Sequence, residues 1–461
     1  DGLFVAAVLV YVENRALFHA CGADAVITAD LVANRMAAQC CVNLHIVDFV
    51  LDALTYDNAS ELYSTRVKRI GRSSRGLRSW GSKLSLRRTA GDEVPPLIGK
   101  TLPQVRSIFA EEGVNVVAAA RSRRHAEVLI DDVFDDGQYL FHQDSEAASE
   151  TLTDGHVHLV FADDHRDVHD AARRLEPQTV NTIEEGVIDR VSRAFEPIPR
   201  KILLVGDWGR CCAVKEMLAS IPWCTTTILT EIIPDQSGVP DGCVVGDISN
   251  EGAWHRAGLA EVDQVTILTQ SGETTKEGQV RDEHGEVDAR AIFAARFARS
   301  FCLSAGRGVG QPRPMPVIAA EMLGHRSRPL FADAGIDVII PSSLLVERML
   351  TKLVYSKGSV CRFLMALLAF DDNRHIMTIN LSAAKHEALL DKTFEQLMSI
   401  LPIDTQLLGI LPADPALREK LRNSVADFDY HILTAPLNSN KLGYRSREGD
   451  ELLVIVDRRE R

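Results

Sequence analysis

The chain has 461 residues, 46% of them apolar and 25% charged, with a formal net charge of -13. This is the composition of ordinary folded protein, with room for roughly three or four compact units, and its acidity excludes a nucleic-acid binder, whose phosphate affinity comes from clustered Lys and Arg. The nine cysteines show neither CxxC nor Cys/His ligand spacing, so no zinc site or disulfide framework is expected, and a reducing compartment is.

From the N-terminus, residues 4–58 and 316–373 repeat one another. Gly22 and Asp24 fall on Gly335 and Asp337, Leu31 on Leu344, and Arg35 and Met36 on Arg348 and Met349, at one offset of 313 residues. After two inserted residues, Asp57 and Asn58 fall on Asp372 and Asn373. Solenoid units repeat every ~20–50 residues, so a repeat this long is a duplicated domain. A full strand and helix series precedes the second copy and almost nothing precedes the first, so the sequence is expected to begin inside a domain. The longest uncharged apolar run, Gly2 to Val12, is shorter than the roughly 20 residues a membrane helix needs. Any membrane part is expected outside this chain.

Next comes RVKRIGRSSRGLRSWGSKLSLRR at 66–88, with nine Lys or Arg (Arg66, Lys68, Arg69, Arg72, Arg75, Arg78, Lys83, Arg87 and Arg88) and no acid. Rich in Ser and Gly, it reads as a disordered surface loop; its alternative role is contact with acidic lipid headgroups. IGKTLPQVRSIF at 98–109 and TDGHVHLVFAD at 153–163 read as a helix and a strand of a small unit, and 164–198 as a charged helical or linker segment. Gly99-Lys100-Thr101 imitates the end of a P-loop, but Val94 stands where the required glycine belongs. His165 and His169 have the i, i+4 spacing of a helical metal pair without a third ligand. Asp131, Asp132, Asp135 and Asp136 read as a surface turn.

From Lys201, short apolar strands alternate with helical stretches, the signature of a parallel sheet wrapped by helices. Strands are expected at 202–205, 225–230, 243–245, 265–269, 315–320 and 338–340, and helices at 211–221, 288–301, 344–355 and 360–370. A helix starting in 390–401 and a glycine turn feeding a strand at 448–457 repeat the earlier small unit. The first strand runs into LLVGDWGRCC. Gly206 and Gly209 there would let backbone N–H groups approach an anion at a helix N-terminus. The spacing is GxxG, however, with Asp207 and Trp208 where the dinucleotide fingerprint has small residues. Arg210 offers a positive charge, and Trp208 would crowd a pyrophosphate. Glu231 ends the second strand, where an acid can hold a ribose hydroxyl.

The segment GDISNEGAWHRAGLAEVDQVTILTQ at 246–270, with Asp247 at a strand end, Ala257-Gly258 closing a helix and Asp263 before the next strand, closely resembles the RCK, or TrkA-N, domain. These are cytosolic ligand-sensing domains of potassium channels and Trk-type transporters. GDWGR at 206–210, DARAIFAARFAR at 288–299, VIAAEMLGHRSRPL at 317–330 and IIPSSLLVERML at 339–350 are similar to the CASTOR/POLLUX (SYM8-like) branch, whose soluble part is a tandem RCK pair. In the first copy, VENRALFHACGADAVITADLVANRMAAQC and YDNASELYSTR match the end of an RCK N-lobe.

The resemblance implies an α/β chain of tandem RCK domains, each a Rossmann-like doubly wound N-lobe plus a small α+β C-lobe, the first N-lobe incomplete. The divisions would be 1–65, end of the first N-lobe with crossover helices; 66–94, insertion; 95–165, first C-lobe; 166–198, linker; 199–380, second N-lobe with crossover helices; and 381–461, second C-lobe. It further implies the gating-ring region of a cation channel, permeable to potassium or calcium, on the cytosolic face of a membrane. Its partners would be its own pore domain and three further copies in a tetrameric ring. The helix pair after each N-lobe would swap partners between neighbours, through Leu344, Leu345, Met349 and Leu353 with Phe363, Leu364, Leu367 and Leu368. Ligand-binding candidates are Gly206, Asp207, Gly209, Arg210, Glu231 and Asp247, with no catalytic or metal-ligating residue. The cofactor is open: a nucleotide or a divalent cation would fit, and the broken glycine motif speaks against NAD. The rival readings are a soluble TrkA-type NAD- or nucleotide-binding subunit and a Rossmann-type NAD-dependent oxidoreductase.

Overall fold

The computed structural model describes residues 5–9, 14–23, 25–55, 61–66, 101–111, 114–120, 139–140, 157–162, 199–233, 239–269, 283–307, 314–356, 359–370, 374–401, 405–421, 423–425, 428–430, 432–434 and 443–457. The first copy supplies β1 (Ala6–Leu9), α1 (Arg15–Ala20), β2 (Ala25–Thr28), α2 (Ala29–Val42) and α3 (Ile46–Leu54). Then follow β3 (Glu61–Arg66), α4 (Leu102–Glu111), β4 (Asn115–Ala120), β5 (Tyr139–Leu140) and β6 (Val157–Ala162).

The doubly wound part is built from β7 (Arg200–Gly206), α5 (Trp208–Leu218), β8 (Cys224–Thr230), β9 (Cys243–Val245), α6 (Glu251–Arg256), β10 (Gln264–Leu268) and α7 (Glu283–Ser304). It closes with β11 (Val317–Met322), α8 (Arg328–Asp333) and β12 (Val338–Pro341). Its six strands are parallel in the order β12-β11-β10-β7-β8-β9. Strands covered on both faces need continuous apolar runs, and all five residues of β10 are buried. The chain runs outward from β7 to β9, then returns to β10 on the other side. The switch point therefore lies between β7 and β10.

The helix expected from 211 begins at Trp208 because Asp207 caps it: the carboxylate accepts a hydrogen bond from the Arg210 amide. Acids that stand just before two of the strands staple the sheet. Asp263, just before β10, accepts the Lys201 amide at the start of β7 at 2.8 Å. Asp337, just before β12, accepts the Ile318 amide at the start of β11 at 2.7 Å. Gly258 takes φ +76° after α6, the left-handed turn that ends a helix.

Beyond β12 come α9 (Ser342–Ser356), α10 (Ser359–Leu368), β13 (Arg374–Asn380), α11 (Phe394–Ile400), β14 (Thr405–Leu411), β15 (Asn423–Val425), β16 (Phe428–Tyr430) and β17 (Glu451–Asp457). The α11 start is fixed by a Thr393–Gln396 capping box. The duplication is exact at the level of pairing. β1 pairs with β2 from Ala6↔Ala25, and β11 with β12 from Ala319↔Val338, the same register under the sequence offset. Gly22 and Gly335 end α1 and α8 at φ +92° and +75°. The small sheets are ordered β3-β6-β4-β5 and β13-β17-β14, and both carry an irregularity, at Val116/Ala118 and Leu407/Gly409.

Helices α2, α9 and α10 pair the two copies within this one chain. α2 lies against α5, β10 and α9, while α9 lies against β1 and β2. The helix ends are satisfied reciprocally. Arg35 of α2 donates to the Met365 carbonyl at 2.7 Å and Gln39 to that of Leu368 at 3.3 Å, in the last turn of α10. Gln264 donates to the Cys40 carbonyl at 3.1 Å and Arg200 to that of Cys41 at 3.3 Å, in the last turn of α2. Carbonyls orphaned at a helix end thus find donors on the other copy. The eight apolar residues expected at a helix–helix interface, from Leu344 to Leu368, are all at most 9% exposed. The interface they fill is formed within the chain. Residues of both copies share one apolar core.

Candidate functional site

At the C-terminal ends of β7, β8 and β10 lies a cavity of about 280 Å3. Open α/β sheets bind ligands in this place, in the crevice at the switch point. Its floor is the turn Val205–Gly209, one side is Thr230–Ile232, and the other is Ile267–Thr269. α7 closes it with Val287, Arg290, Ala291 and Ala294, whose i, i+3, i+4, i+7 spacing puts them on one helical face.

Four sequence candidates, Gly206, Asp207, Gly209 and Glu231, line this cavity together. Gly206 is dictated by the fold. At φ +130°, a Cβ on it would stand 2.0 Å from the Leu268 carbonyl oxygen, so glycine is required where β7 meets the end of β10. Gly209 has no such restriction, since its nearest contact would be Asp207 Oδ1 at 3.4 Å. Asp207 Oδ1 accepts from the Arg210 amide at 2.9 Å. Glu231 forms an ion pair across the mouth with Arg290.

Two candidates stand elsewhere. The Arg210 side chain is 7% exposed and turns beneath the cavity floor to pair with Glu321 of β11. Its Nε donates to Asn34 Oδ1 of α2 at 2.9 Å, and its Nη1 to the Thr269 carbonyl at 3.0 Å. Thr269 in turn donates to Glu321 Oε2 from its amide at 3.1 Å and its hydroxyl at 2.7 Å. The positive charge read as an anion ligand is thus spent on a buried carboxylate, and it ties the cavity turn to the first copy. Asp247 is exposed beside the cavity, and only its neighbour Ile248 contributes to the lining. The Ser249 amide, then its hydroxyl, hold the Asp247 carboxyl below its ordinary pKa, as in a self-contained turn with the amide 2.7 Å from Oδ1.

Of the lipid-contact candidates, Arg66 ends β3, and Lys68, Arg69, Arg72, Arg75, Arg78, Lys83, Arg87 and Arg88 lie outside the described residues. So do the His165/His169 pair, the Asp131–Asp136 cluster and Gly99-Lys100. Among the described residues no group of three or more His, Cys, Asp or Glu could hold a metal ion, and no helix is long and apolar enough to cross a membrane. All nine cysteines are free. Burial raises the Cys41 thiol to about 12 and pushes Cys211 up further, so both are thiols at neutral pH.

The sequence reading missed Arg290 and the small-residue face of α7. The Ala291/Ala294 spacing was the available signal. It also missed the Arg210–Glu321 pair, which joins residues 111 positions apart.

No protein-family model matches the chain, and no curated protein does. Solved structures do. The human SLO3 gating ring aligns with 99% of this chain and 81% of its own, at a TM-score of 0.59 and 12% identity. The GsuK channel bound to NAD aligns with 98% of this chain, which spans 60% of that protein's length, at a TM-score of 0.34 and 13% identity. The TrkA-N domain of inner membrane protein ybaL from Escherichia coli aligns with 34% of this chain and 98% of its own, at a TM-score of 0.24 and 16% identity. The architecture is the Rossmann-like RCK/TrkA-N fold in tandem, a mixed α/β chain around a parallel sheet.

Proposed function

We propose that this chain is the ligand-sensing regulatory region of an ion-transport protein and not an enzyme. The observation that carries the reading is the cavity at the switch point, whose floor is tied through Arg210 to Asn34 of the first copy. A ligand in this cavity meets the turn that holds Arg210, and Arg210 holds the other copy. Binding regulates only through different affinities for two arrangements of the copies, and this connection lets one arrangement be favoured.

In its finer form, the chain is the gating region of a CASTOR/POLLUX-like cation channel. It works below a pore domain in a tetrameric ring at the cytosolic face of a membrane, divided into N-lobes, C-lobes and linker at the boundaries given above. Gly206, Asp207, Gly209 and Glu231 contact the ligand, Arg210 transmits, and the basic stretch from Arg66 to Arg88 meets acidic lipid. Calorimetry of the purified chain with NAD(H), ATP, calcium and sodium tests the reading. Saturable binding of at least one of these at one site per chain, without turnover, is expected. Nicotinamide-dependent turnover of any substrate would contradict it.

A further inference from the structure

We propose that the cavity of the second copy takes a nucleoside-sized ligand without phosphate groups and discriminates against mononucleotides and dinucleotides; this rests on the ligand-sensing reading above. The helix end that would grip a phosphate is already taken. A dinucleotide lays its pyrophosphate on the free N–H groups that open the helix after the first strand. Here Asp207 occupies that end of α5, its Oδ1 2.9 Å from the Arg210 amide nitrogen. A carboxylate there neutralises the positive pole of the helix and repels an incoming phosphate.

No cation in the described lining is left over to offset this. Arg210 is turned into Glu321, Asn34 and Thr269 below the floor. The charged lining consists of two carboxylates, Asp207 and Glu231, against one guanidinium, Arg290, so its balance is negative by one. Glu231 and Arg290 satisfy each other at the mouth, which leaves the Asp207 charge facing whatever enters.

The shape agrees with the charge. The lining residues belong to β7, the start of α5, β8, β10, α7 and the turns after β7, β8, β9 and β10, and none to β11 or β12. A dinucleotide straddles the switch point into both halves of the sheet. On the β11 side of β10, Arg210 pairs with the buried Glu321. A volume of about 280 Å3 lies just below the roughly 300–1,000 Å3 typical of ligand sites and suits a single base and sugar better than a dinucleotide. Ile232, Ile248, Val287, Ala291 and Ala294 give apolar walls for a flat ring, and the Glu231 carboxylate stands where vicinal hydroxyls can donate to it.

The test titrates the purified chain with adenosine, AMP and NAD+ in one buffer, and repeats the titrations with Asp207→Asn. Asparagine caps a helix as well as aspartate does, so the variant removes the charge and keeps the turn. Adenosine is expected to bind the native chain at least about tenfold tighter than AMP or NAD+, the effect of one nearby like charge. The Asp207→Asn change is expected to raise AMP affinity relative to adenosine by about the same factor. AMP or NAD+ binding as tightly as adenosine overturns the inference and leaves the ligand-sensing reading standing. Binding by none of the three overturns it too, and the calcium and sodium titrations then judge the ligand-sensing reading separately.

Discussion

Under the 313-residue offset, the two copies share the register of their paired strands, and in those strands they differ in charge at one position: Val8 of β1 stands where β11 has Glu321. Val8 is 38% exposed, whereas Glu321 is 1% exposed and takes the guanidinium that comes down from the cavity turn. Residues the copies share hold the shape, as Met36 and Met349 do at 0% and 1% exposure. Glu321, which differs, joins the cavity turn to β11 through Arg210. A carboxylate is worth burying in a sheet only where a guanidinium and hydrogen-bond donors meet it, and only the second copy is shown to supply them.

The largest break in the comparison comes from removing that carboxylate. Glu321→Ala leaves Arg210 buried without its partner and should cost about 3–5 kcal/mol in urea denaturation. Val8→Ala, at the matching position, should stay within about 1 kcal/mol. Equal losses would mean that the buried pair does not distinguish the copies.

Two positive-φ glycines sharpen it next. Gly206→Ala drives a Cβ to 2.0 Å from a carbonyl oxygen and should cost about 3 kcal/mol or more. Gly22→Ala, with nothing within 4 Å of its Cβ, should cost only about 1 kcal/mol for the left-handed backbone. Thermal unfolding of the two variants measures the difference.

The reciprocal caps give a smaller effect. Arg35→Ala removes the donor to the Met365 carbonyl and should cost about 1.5–3 kcal/mol. Hydrogen exchange in α10 should quicken while exchange in β8 stays the same.

The smallest effect is a pH dependence. His45, which starts α3, lies 2.7 Å from Glu451 of β17 and 3.4 Å from Asp48. Burial disfavours the imidazolium, but the Asp48 and Glu451 carboxylates outweigh it and raise the His45 pKa to about 9. A raised pKa stabilises the fold fully below the ordinary histidine value and loses that contribution as pH climbs through about 9. With the ring one-third exposed, solvent screens much of it. Unfolding midpoints across that range should fall more for the native chain than for His45→Gln.

Much of the architecture was legible because parallel strands buried on both faces leave short, largely apolar runs separated by turns, as ILLV at 202–205 does and as the stretch expected at 265–269 does, one residue off the observed Gln264–Leu268. The duplicated segment fixed the order of the rest. Gly206, Asp207, Gly209 and Glu231, which line one cavity, could be picked out together because strand ends followed by turns mark the crevice of such sheets. Arg210 misled, since local spacing makes a cation after a glycine turn look available to an anion, whereas its partner Glu321 lies across the sheet. Asp247 misled similarly: its strand-end position is that of a ligand, yet its carboxylate closes a turn with Ser249. The pairing of the crossover helices within the chain was hidden for the same reason. An apolar helical face shows that it will be covered, and the partner appears only in three dimensions.

Hydrogen exchange of the purified chain with and without saturating adenosine tests the central claim most directly. The account predicts slower exchange in the cavity turn at 205–210 together with slower exchange in α2 of the first copy, carried by the Arg210–Asn34 bond. Protection confined to the cavity turn with α2 unchanged, or exchange unchanged throughout, would contradict it.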